Sequence, residues 1–408
     1  MYARKLKGTE PHEAIMVAGA QNNTQVRFDQ ARIATLIAER QPDDPIAILR
    51  PWVLRRTALS FLNGFPGQVS YAVKANPASD ILHNLVCAGV STFDVASVAE
   101  MHAARQAMPN ARLHYHNPVR SASEITQAKA LGIASWSVDR MSELDKLGQL
   151  TPNTQVAVRL SLKRGGGAYD FGSKFGASPD VATDLLRAVA ARGMTPSLTF
   201  HPGTQCTDPA SWADYIAACA EVAQRAGVRL AALNVGGGFP ALPRGGETLR
   251  QRLFDTIAAA NKAHFPDQPP QLWCEPGRAM VADAMWLLLR VKARGDGVLT
   301  LNDGLYGALG EWRDMPVPAR QTALNQQGRP VTGKLKPFTI FGPTCDSLDR
   351  VPAPWMLPSG IADGDYILIS GAGAYSLALV TPFNGYGTRE MLNLDSMVEP
   401  AGQCRLAG

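Results

Sequence analysis

The sequence predicts a parallel (β/α)8 barrel of the TIM type, followed by a second domain that is rich in β-structure. Eight short runs of Val, Ile, Leu and aromatic residues precede Arg278, and alanine- and leucine-rich amphipathic segments separate most of them. After Arg278 the helical segments give way to strand-like runs separated by Gly, Pro and Asp. Eight alternating units favour a closed barrel over an open doubly wound sheet.

The predicted barrel strands are short apolar runs bounded by turn-forming or polar residues. In chain order they are Val69–Val73, Ser91–Asp94, Arg112–Tyr115, Ser135–Val138, Gln155–Leu160, Pro196–Phe200, Ala231–Val235 and Gln271–Cys274.

Helices are predicted in most of the seven intervals between these strands, and one more ahead of the first strand, because apolar residues recur there at helical spacing. They are Trp52–Phe61, Ala99–Ala107, Ser123–Leu131, Pro179–Arg192, Pro209–Ala226 and Glu247–His264.

The second domain is predicted as a β-sandwich or small barrel built from both ends of the chain. Its predicted strands are Trp286–Lys292, Val298–Asn302, Pro337–Phe341, Asp365–Ser370 and Ser376–Thr381, with loops at Met315–Pro330 and Val351–Pro358. Two strand-like runs near the N-terminus, Ala14–Val17 and Gln25–Phe28, are available to pair with this sheet. We therefore expect a barrel at residues 46–280 and a β-rich domain from residues 1–45 and 281–408.

Composition indicates an ordinary globular enzyme: 408 residues, 46% hydrophobic and 18% charged, with a net charge of +5. No block of Lys and Arg alternates with aromatics, so nucleic acid is not an expected partner. The longest apolar run, Ala284–Val291, is interrupted by Arg290 and is too short to span a bilayer.

The six cysteines show neither a CxxC pair nor metal-ligand spacing, which predicts free thiols, no metal and a reducing compartment. Near the N-terminus, Glu10, His12 and Glu13 stand where a signal peptide needs its apolar core. The expected location is the cytoplasm.

A single lysine, Lys74, stands at the end of the first predicted strand, within the run Tyr71–Pro77. In a partly desolvated pocket a lysine amine is expected to lose some preference for its charged form and to condense with a carbonyl. The alternative interpretation is an exposed lysine that closes a strand.

Other polar and glycine residues also follow the strands at their carboxyl ends, where barrel chemistry is usually found. Besides Lys74 they are Asp94, His114, Asn117, Arg159, His201, Gly236–Gly238 and Glu275. This distribution makes a Schiff-base site more plausible than an isolated exposed lysine.

The glycine triplet Gly236–Gly238 predicts either a phosphate-binding loop or only a sharp turn from strand to helix. Arg278 is a candidate second phosphate ligand, the alternative being a surface salt bridge. Glu275 is suited to hold a proton on the ring nitrogen of pyridoxal 5'-phosphate, which makes that ring an electron sink. His201 either stacks on such a ring or is a hydrogen-bonded core residue.

Eight motifs, in order, resemble those of the fold-type III pyridoxal-phosphate decarboxylases of the ornithine and diaminopimelate group. The motifs span Lys74 to Asn384 and include Ala72–Asn76, Phe93–Ser97, Phe200–Thr204, Gly236–Pro240, Glu275–Arg278, Asn302–Gly307, Gly342–Asp349 and Gly371–Tyr375. The run Gly-Pro-Thr-Cys-Asp that ends at Asp346 is more similar to the ornithine decarboxylases.

The resemblance implies a role for each matching residue. Lys74 forms the internal aldimine, Glu275 holds the pyridine nitrogen, and His201 stacks on the ring. Asp94 and Arg159 support the lysine and the carboxylates. The implied phosphate ligands are Thr204, Gly237, Gly238, Arg278 and Tyr375.

The resemblance also implies a head-to-tail homodimer that shares its active sites. Cys345 and Asp346 then arrive from the partner subunit, the thiol to protonate the α-carbon and the carboxylate to bind the distal amine of the substrate. Tyr306 and Phe383 line the substrate end.

Two departures from the family pattern concern the ligands. Thr204 stands where the family usually has serine, and it keeps the hydroxyl. Met315 stands where ornithine decarboxylases usually have an aspartate that grips the distal amine, so Asp314 or Glu311 is the candidate replacement.

The expected activity is decarboxylation of a basic amino acid through an external aldimine and a quinonoid, with L-ornithine to putrescine as the best single guess. Lysine, arginine, diaminopimelate and a conjugated diamino acid are the alternative substrates. An amino-acid racemase is a less favoured reading, because racemases of this architecture place an arginine at the pyridine nitrogen, whereas Glu275 stands here. A non-catalytic paralogue is also less favoured, because Lys74, Cys345 and Asp346 are all present.

Overall fold

Nine parallel strand segments form the predicted barrel in the computed structural model, which describes residues 29–162, 174–242, 246–313 and 320–397. They are β2 (Gln68–Val69), β3 (Tyr71–Ala72), β4 (Thr92–Val95), β5 (Arg112–Tyr115), β6 (Ser135–Val138), β7 (Gln155–Arg159), β8 (Thr195–Thr199), β9 (Ala232–Asn234) and β10 (Gln271–Cys274).

The barrel closes because its first strand is divided at Ser70. The segment β2 pairs with β10, whereas β3 pairs with β4. The amide of Ser70 continues the ladder by donating to the carbonyl of Cys274 at 2.9 Å. The two segments therefore act as one strand, and the predicted eight-stranded barrel is confirmed.

Helices surround the barrel strands and precede them. Residues 29–40 form α1, and the others are α2 (Pro51–Gly64), α3 (Ser79–Cys87), α4 (Val98–Ala107), α5 (Ala122–Ala130), α6 (Met141–Leu147), α7 (Pro179–Ala191), α8 (Pro209–Ala226), α9 (Glu247–His264) and α10 (Arg278–Val281). All six predicted helices are present within a few residues of their expected ends. The short helices α3 and α6 fill the two intervals for which none was predicted.

Local sequence signals account for several helix ends. Helix α5 begins with a capping box in which Ser121 and Glu124 bind each other's backbone amides. Helix α8 begins with Asp208 as its N-cap, followed by Pro209, and ends at Gly227 in the left-handed conformation, with φ of 66°. Among the described residues, no helix combines the length and the apolar composition needed to cross a membrane.

The second domain is a mixed sheet around one long strand. Its strands are β1 (Ile46–Leu49), β11 (Met285–Gly295), β12 (Val298–Leu301), β13 (Gln321–Leu324), β14 (Leu335–Phe341), β15 (Trp355–Pro358), β16 (Tyr366–Ser370) and β17 (Glu390–Asn393). The N-terminal part of β11 lies between β1 and β16, and its C-terminal part pairs with β12. Because β1 pairs with β11 and β17, we propose that the barrel domain begins near Arg50 rather than at residue 46.

Four predictions for the second domain need correction. The expected loops Met315–Pro330 and Val351–Pro358 contain β13 and β15, which pair with β16 and β14. The expected strand Ser376–Thr381 is instead a 3-10 turn at Leu377–Leu379. Residues 29–40, in the part of the chain expected to be strand-like, are helical. The runs Ala14–Val17 and Gln25–Phe28 lie outside the described residues.

An aromatic cluster anchors the glycine loop that follows β9. Phe239, directly after Gly238, is 3% exposed. Its ring meets Phe61 of α2 edge-on at 5.6 Å and stacks on Trp212 of α8 at 5.1 Å. Since such buried rings contribute roughly 3–5 kcal/mol each, the loop is held firmly at the barrel mouth.

Candidate active site

Lys74 lies in a tight 3-10 turn directly after β3, at the carboxyl-end mouth of the barrel. The turn is fixed from the second domain: the amide of Tyr375 donates to the carbonyl of Ala75 at 2.8 Å, and the side chain of Asn76 donates to the carbonyl of Gly373 at 2.9 Å. The side chain of Lys74 remains exposed and lines the cavity at this mouth. Its amine is therefore accessible to a small molecule.

The pKa of Lys74 moves in the direction opposite to the one expected from desolvation. Burial pushes the pKa of the amine down, but electrostatic interactions with Tyr375, Asp94 and Glu275 outweigh that effect and raise it above its usual value. Before a carbonyl compound binds, Lys74 is therefore held as an ammonium ion.

Two adjoining cavities bring most of the predicted site residues together, and both contain Lys74. The residues predicted from the sequence that line them are Asp94, Asn117, Arg159, His201, Thr204, Gly237, Gly238, Glu275, Arg278 and Tyr375. Residues at the carboxyl end of every barrel strand except β6 line these two cavities, as expected for a barrel enzyme.

Glu275 follows β10 and is held by two hydrogen-bond donors. His116 Nδ1 and the side-chain amide of Asn234 both contact its Oε1 atom. Burial alone would raise the pKa of Glu275, but electrostatic attraction and a hydrogen bond from His116, together with the hydrogen bond from Asn234, lower it to about 2. Glu275 is therefore ionised at neutral pH although its side chain is only 12% exposed.

Asp94 on β4 has the opposite behaviour. Burial and the nearby charge of Glu275 raise the pKa of its carboxyl to about 7, although Lys74 and His116 act to lower it. The barrel mouth thus contains one carboxylate that is firmly ionised and one that takes up a proton near neutrality.

The glycine loop after β9 has no room for side chains. A β-carbon at Gly236 would lie 2.0 Å from the carbonyl oxygen of Phe200, and one at Gly238 would lie 2.4 Å from that of Gly203. Both glycines have positive φ, at 68° and 83°. The loop therefore presents bare backbone to the cavity, as a phosphate-binding loop requires.

His201 faces this loop across the cavity. Its Nδ1 atom accepts a hydrogen bond from the amide of Gly203 at 3.2 Å, which fixes the plane of the ring. Burial, followed by the positive charges of Arg159 and Lys74, lowers the pKa of His201 to about 3. The ring is therefore neutral, which suits stacking on another aromatic ring.

Arg278 opens α10 with its guanidinium 4.9 Å above the ring of Tyr375. It forms a bidentate ion pair with Glu311, in which Nη1 and Oε2 are 2.8 Å apart. Arg278 thus forms a salt bridge, as in its alternative interpretation, but both side chains are largely buried, at 12% and 16% exposure. Glu311, one of the two candidates for binding the distal amine, is thus engaged with Arg278.

Four predicted residues lie apart from Lys74 on the surface of the second domain. Tyr306 donates a hydrogen bond to Asp346 and packs on Phe383, with ring centroids 4.8 Å apart. The thiol of Cys345 contacts Asn384 Oδ1 at 3.3 Å and is exposed. In the described part of the chain, the two cavities around Lys74 are lined by other residues and not by these four, which are Tyr306, Cys345, Asp346 and Phe383. Asp314, the other candidate for the distal amine, lies outside the described residues.

Comparison with known proteins identifies the family. Residues 53–282, more than half of the chain, match the model of the pyridoxal-dependent decarboxylase pyridoxal-binding domain. The chain belongs to the pyridoxal-dependent decarboxylases. The recognition of this family from sequence motifs is therefore confirmed.

Three comparisons show how near the likeness is. The decarboxylase is 32% identical over 330 residues to the lysine/ornithine decarboxylase of Selenomonas ruminantium, covering 78% of this chain and 81% of that protein. It is 32% identical over 339 residues to the chloroplastic ornithine decarboxylase of Nicotiana glutinosa, covering 78% and 76%. The structure of the lysine/ornithine decarboxylase of Vibrio vulnificus complexed with putrescine superposes with a TM-score of 0.74 at 25% identity, covering 90% and 98%.

Pyridoxal phosphate is the cofactor of this decarboxylase, and the cavity offers a suitable group for each of its functional parts. An accessible amine at Lys74 suits the aldehyde, and the ionised Glu275 suits a protonated ring nitrogen. The bare backbone of Gly237 and Gly238, together with Arg278, suits the phosphate.

The same carboxylates could in principle hold a metal ion. Asp94, His116 and Glu275 each bring one ligand atom to within 4.8 Å of the others. His116 Nδ1, however, is engaged in a hydrogen bond with Glu275, and the ammonium of Lys74 supplies the positive charge at this position.

Sequence reasoning missed two residues that the site depends on, His116 and Asn234. His116 alternates with His114 along β5, so both point to the same face of the strand, and this spacing could have marked it. Asn234 is the last residue of β9, directly before the glycine loop, where its Oδ1 accepts from the amide of Gly236 at 2.9 Å. Its position at a strand end was the available signal.

Proposed function

We propose that this decarboxylase removes the α-carboxyl group of a basic amino acid, with L-ornithine the best single substrate and lysine the next. Relatives named as lysine/ornithine and ornithine decarboxylases support this choice. Arginine, diaminopimelate or a conjugated diamino acid would use the same reaction and the same residues around the α-carbon.

The observation that carries the proposal is the opposed pair at the cavity: an accessible ammonium at Lys74 and a carboxylate at Glu275 that is ionised. When bound, pyridoxal phosphate supplies the sink for the electrons left by departing carbon dioxide. Glu275 would hold a proton at the ring nitrogen, and this positive charge would favour acceptance of those electrons. The amine of Lys74 would hold the cofactor by its aldehyde.

The remaining residues of the cavity bind and orient. We assign the phosphate to Thr204, Gly237, Gly238, Arg278 and Tyr375, which share the wall of the cavity with Lys74. The neutral ring of His201 would hold the cofactor ring by stacking and would exclude water from one face. Asp94 and Arg159 set the charge around Lys74.

The second half of the site is proposed to come from a partner subunit in a homodimer. Cys345 and Asp346 do not line the Lys74 cavity of their own chain and are accessible on the second domain. The thiol of Cys345 would donate the proton to the α-carbon, while Asp346 would bind the distal ammonium. Tyr306 and Phe383 would line the substrate chain beside Asp346.

Amine products released from a panel of substrates test the proposal. Protein loaded with pyridoxal phosphate is incubated with ornithine, lysine, arginine, meso-diaminopimelate and D-isomers, and products are identified by mass spectrometry. We expect putrescine from ornithine, lost in Lys74→Ala and retained in Lys262→Ala, a change at an exposed lysine of α9.

Release of no amine from any of these substrates by cofactor-loaded protein would overturn the assignment to basic amino acids. Exchange of the α-proton without loss of carbon dioxide would instead favour a racemase.

A further inference from the structure

A chain of hydrogen bonds crosses the barrel interior and ends at Glu275. Gln68 Nε2 lies 3.1 Å from His114 Nε2, and His114 Nδ1 lies 2.7 Å from the hydroxyl of Ser135. The same hydroxyl lies 2.8 Å from His116 Nε2, and His116 Nδ1 contacts Glu275 Oε1. Three barrel strands and the residue after a fourth thus supply one continuous path.

The path is buried between its ends. His114 and Ser135 are 0% exposed and His116 is 6% exposed, whereas Gln68 is half-buried at the far end. Each internal polar atom therefore needs its partner inside the protein, because water cannot replace it. The ring of Trp273 packs against His114 at 4.7 Å and closes the path on one side.

For neutral rings, one arrangement satisfies each contact along the path from Gln68 to Glu275. The amide nitrogen of Gln68 can only donate, so His114 Nε2 accepts, and His114 Nδ1 carries the hydrogen that it donates to Ser135. The hydroxyl of Ser135 then donates to His116 Nε2. The hydrogen of His116 consequently sits on Nδ1 and points at Glu275.

Two further observations agree with this arrangement. Burial lowers the pKa of His114 well below its usual value, with smaller contributions from His116 and Arg112, so this ring is neutral. The amide of Asn234 is oriented by Gly236, and its nitrogen donates to the same oxygen of Glu275. This nitrogen also lies 3.1 Å from His116 Nδ1, which in this tautomer carries its own hydrogen, so Glu275 and not His116 accepts from Asn234. Two donors therefore converge on one carboxylate oxygen.

We propose that Gln68, His114, Ser135 and His116 form an orienting relay that locks His116 in its Nδ1-protonated tautomer and so holds Glu275 as a hydrogen-bonded anion. Gln68, His114 and Ser135 act on Glu275 only through His116, so they are positioning residues. The proposed tautomer of His116 is independent of which reaction the protein catalyses. The effect of this tautomer on catalysis rests on the proposed function, in which Glu275 holds the proton of the cofactor ring.

Nitrogen-15 NMR of histidine-labelled, cofactor-free protein tests the tautomer directly. Free imidazole side chains favour Nε2 protonation, so two Nδ1-protonated neutral rings at pH 8 are a distinctive result. Their signals are assigned by their loss in His114→Asn and His116→Asn. A signal from His116 with Nε2 protonated, in the wild-type protein, overturns the relay without any variant having to fold.

A matched pair of serine variants tests the consequence for catalysis. Ser135 and Ser137 are both fully buried on β6, but the hydroxyl of Ser137 donates to the backbone carbonyl of His116 at 2.7 Å and lies outside the relay. Removing an outer hydrogen-bond partner typically lowers activity roughly 10- to 100-fold. We expect Ser135→Ala to lower kcat about 10-fold with little change in KM, and to shift the absorbance of bound cofactor.

Ser137→Ala should change neither kcat nor the spectrum, and Ser135→Thr, which keeps the hydroxyl, should restore both. Equal losses of kcat in the two alanine variants would overturn the relay as a determinant of the charge on Glu275. Because the NMR result needs neither cofactor nor substrate, it separates failure of the relay from failure of the proposed activity.

Discussion

Two carboxylates at the barrel mouth, Asp94 and Glu275, have ligand atoms within 4.8 Å of each other but opposite protonation behaviour. Burial and the charge of Glu275 raise the pKa of Asp94 to about 7, whereas His116 and Asn234 overcome burial and bring that of Glu275 to about 2. The difference comes from donors: two converge on Glu275, and their positive ends compensate its desolvation.

The raised pKa of Asp94 makes stability depend on pH. Between about pH 4 and pH 7 the folded protein binds a proton at Asp94 that the unfolded chain does not bind. The contribution of Asp94 to the free energy of unfolding therefore falls as the pH rises through this range. Asp94→Asn removes that dependence. We expect the apparent Tm of the cofactor-free variant, relative to wild type, to be higher at pH 8 than at pH 4.

Thermal unfolding followed by circular dichroism at both pH values measures this difference. The exposed Asp267→Asn serves as the control and should show the same difference from wild type at both. A difference between Asp94→Asn and wild type that stays constant with pH would show that Asp94 is ionised throughout.

A second residue-level prediction concerns the distal end of the substrate. The hydrogen bond from Tyr306 lowers the pKa of Asp346, which is therefore an anion at neutral pH. Loss of a charge-assisted hydrogen bond to the substrate lowers kcat/KM by about 10- to 150-fold. Asp346→Asn should lower kcat/KM for ornithine and lysine by this amount in steady-state assays.

Ser347→Ala, in the same exposed loop, provides the comparison and should leave kcat/KM within about twofold, as surface substitutions usually do. Unchanged kinetics in Asp346→Asn would assign the distal ammonium to another acid.

At the level of elements, helix ends are the places where single residues decide structure. Gly227 ends α8 at φ of 66°, and none of the described residues places an atom within 4 Å of the position that an added β-carbon would take, so backbone strain alone limits substitution. Gly227→Ala is expected to destabilise by about 1–2 kcal/mol, because a β-carbon disfavours this conformation. Gly227→Asn should lose less, since asparagine tolerates it better.

Urea denaturation of the two variants beside wild type measures the ranking. Equal stability of Gly227→Ala and wild type would mean that the helix ends differently in solution.

Elements with strong periodic patterns could be read from the sequence, and short or proline-containing ones could not. Helix α6 has seven residues, too few for a clear amphipathic repeat. Helix α3 has nine, as many as the predicted α5, but it lacks the side-chain N-cap that marks the start of α5. Strand β15 contains Pro358 and lies in a proline-rich segment, which masked its strand character. The apolar run Ser376–Thr381 suggested a strand, but the chain forms a 3-10 turn there instead.

The same limit applies to the site. Residues at the carboxyl ends of strands, such as Lys74 and Glu275, could be found because barrel topology brings those ends together. The partners of Glu275 could not, because hydrogen bonding between His116 and Glu275 joins positions 159 residues apart. Sequence motifs and hydrophobic periodicity do not predict a side-chain contact between residues so far apart in the chain.

On the scale of the whole molecule, the residues proposed to complete the active site lie on a face with uncovered apolar side chains. Leu348 is 74% exposed and Phe383 is 40% exposed, and they flank Asp346 and Asn384 in the chain. Exposed apolar side chains beside these residues are suited to burial in an interface. A two-fold dimer would place this face of each chain over the Lys74 cavity of the other.

Complementation between inactive variants tests this arrangement. Lys74→Ala and Cys345→Ala homodimers should each be inactive, because every site lacks one group. Unfolding and refolding an equal mixture produces heterodimers in which one site carries both changes and the other carries neither. Random pairing makes half of the dimers mixed, so about a quarter of wild-type activity should return.

Mixing Lys74→Ala with Glu275→Ala provides the control. Both residues line the same cavity of one chain, so every site in their heterodimer contains one defect and no activity should return. If Cys345→Ala behaved like Glu275→Ala in this experiment, Cys345 would act within its own chain, and the loop after β14 would have to move to the barrel mouth. Recovery in the first mixture alone therefore distinguishes a site built from two chains from one that a single chain completes.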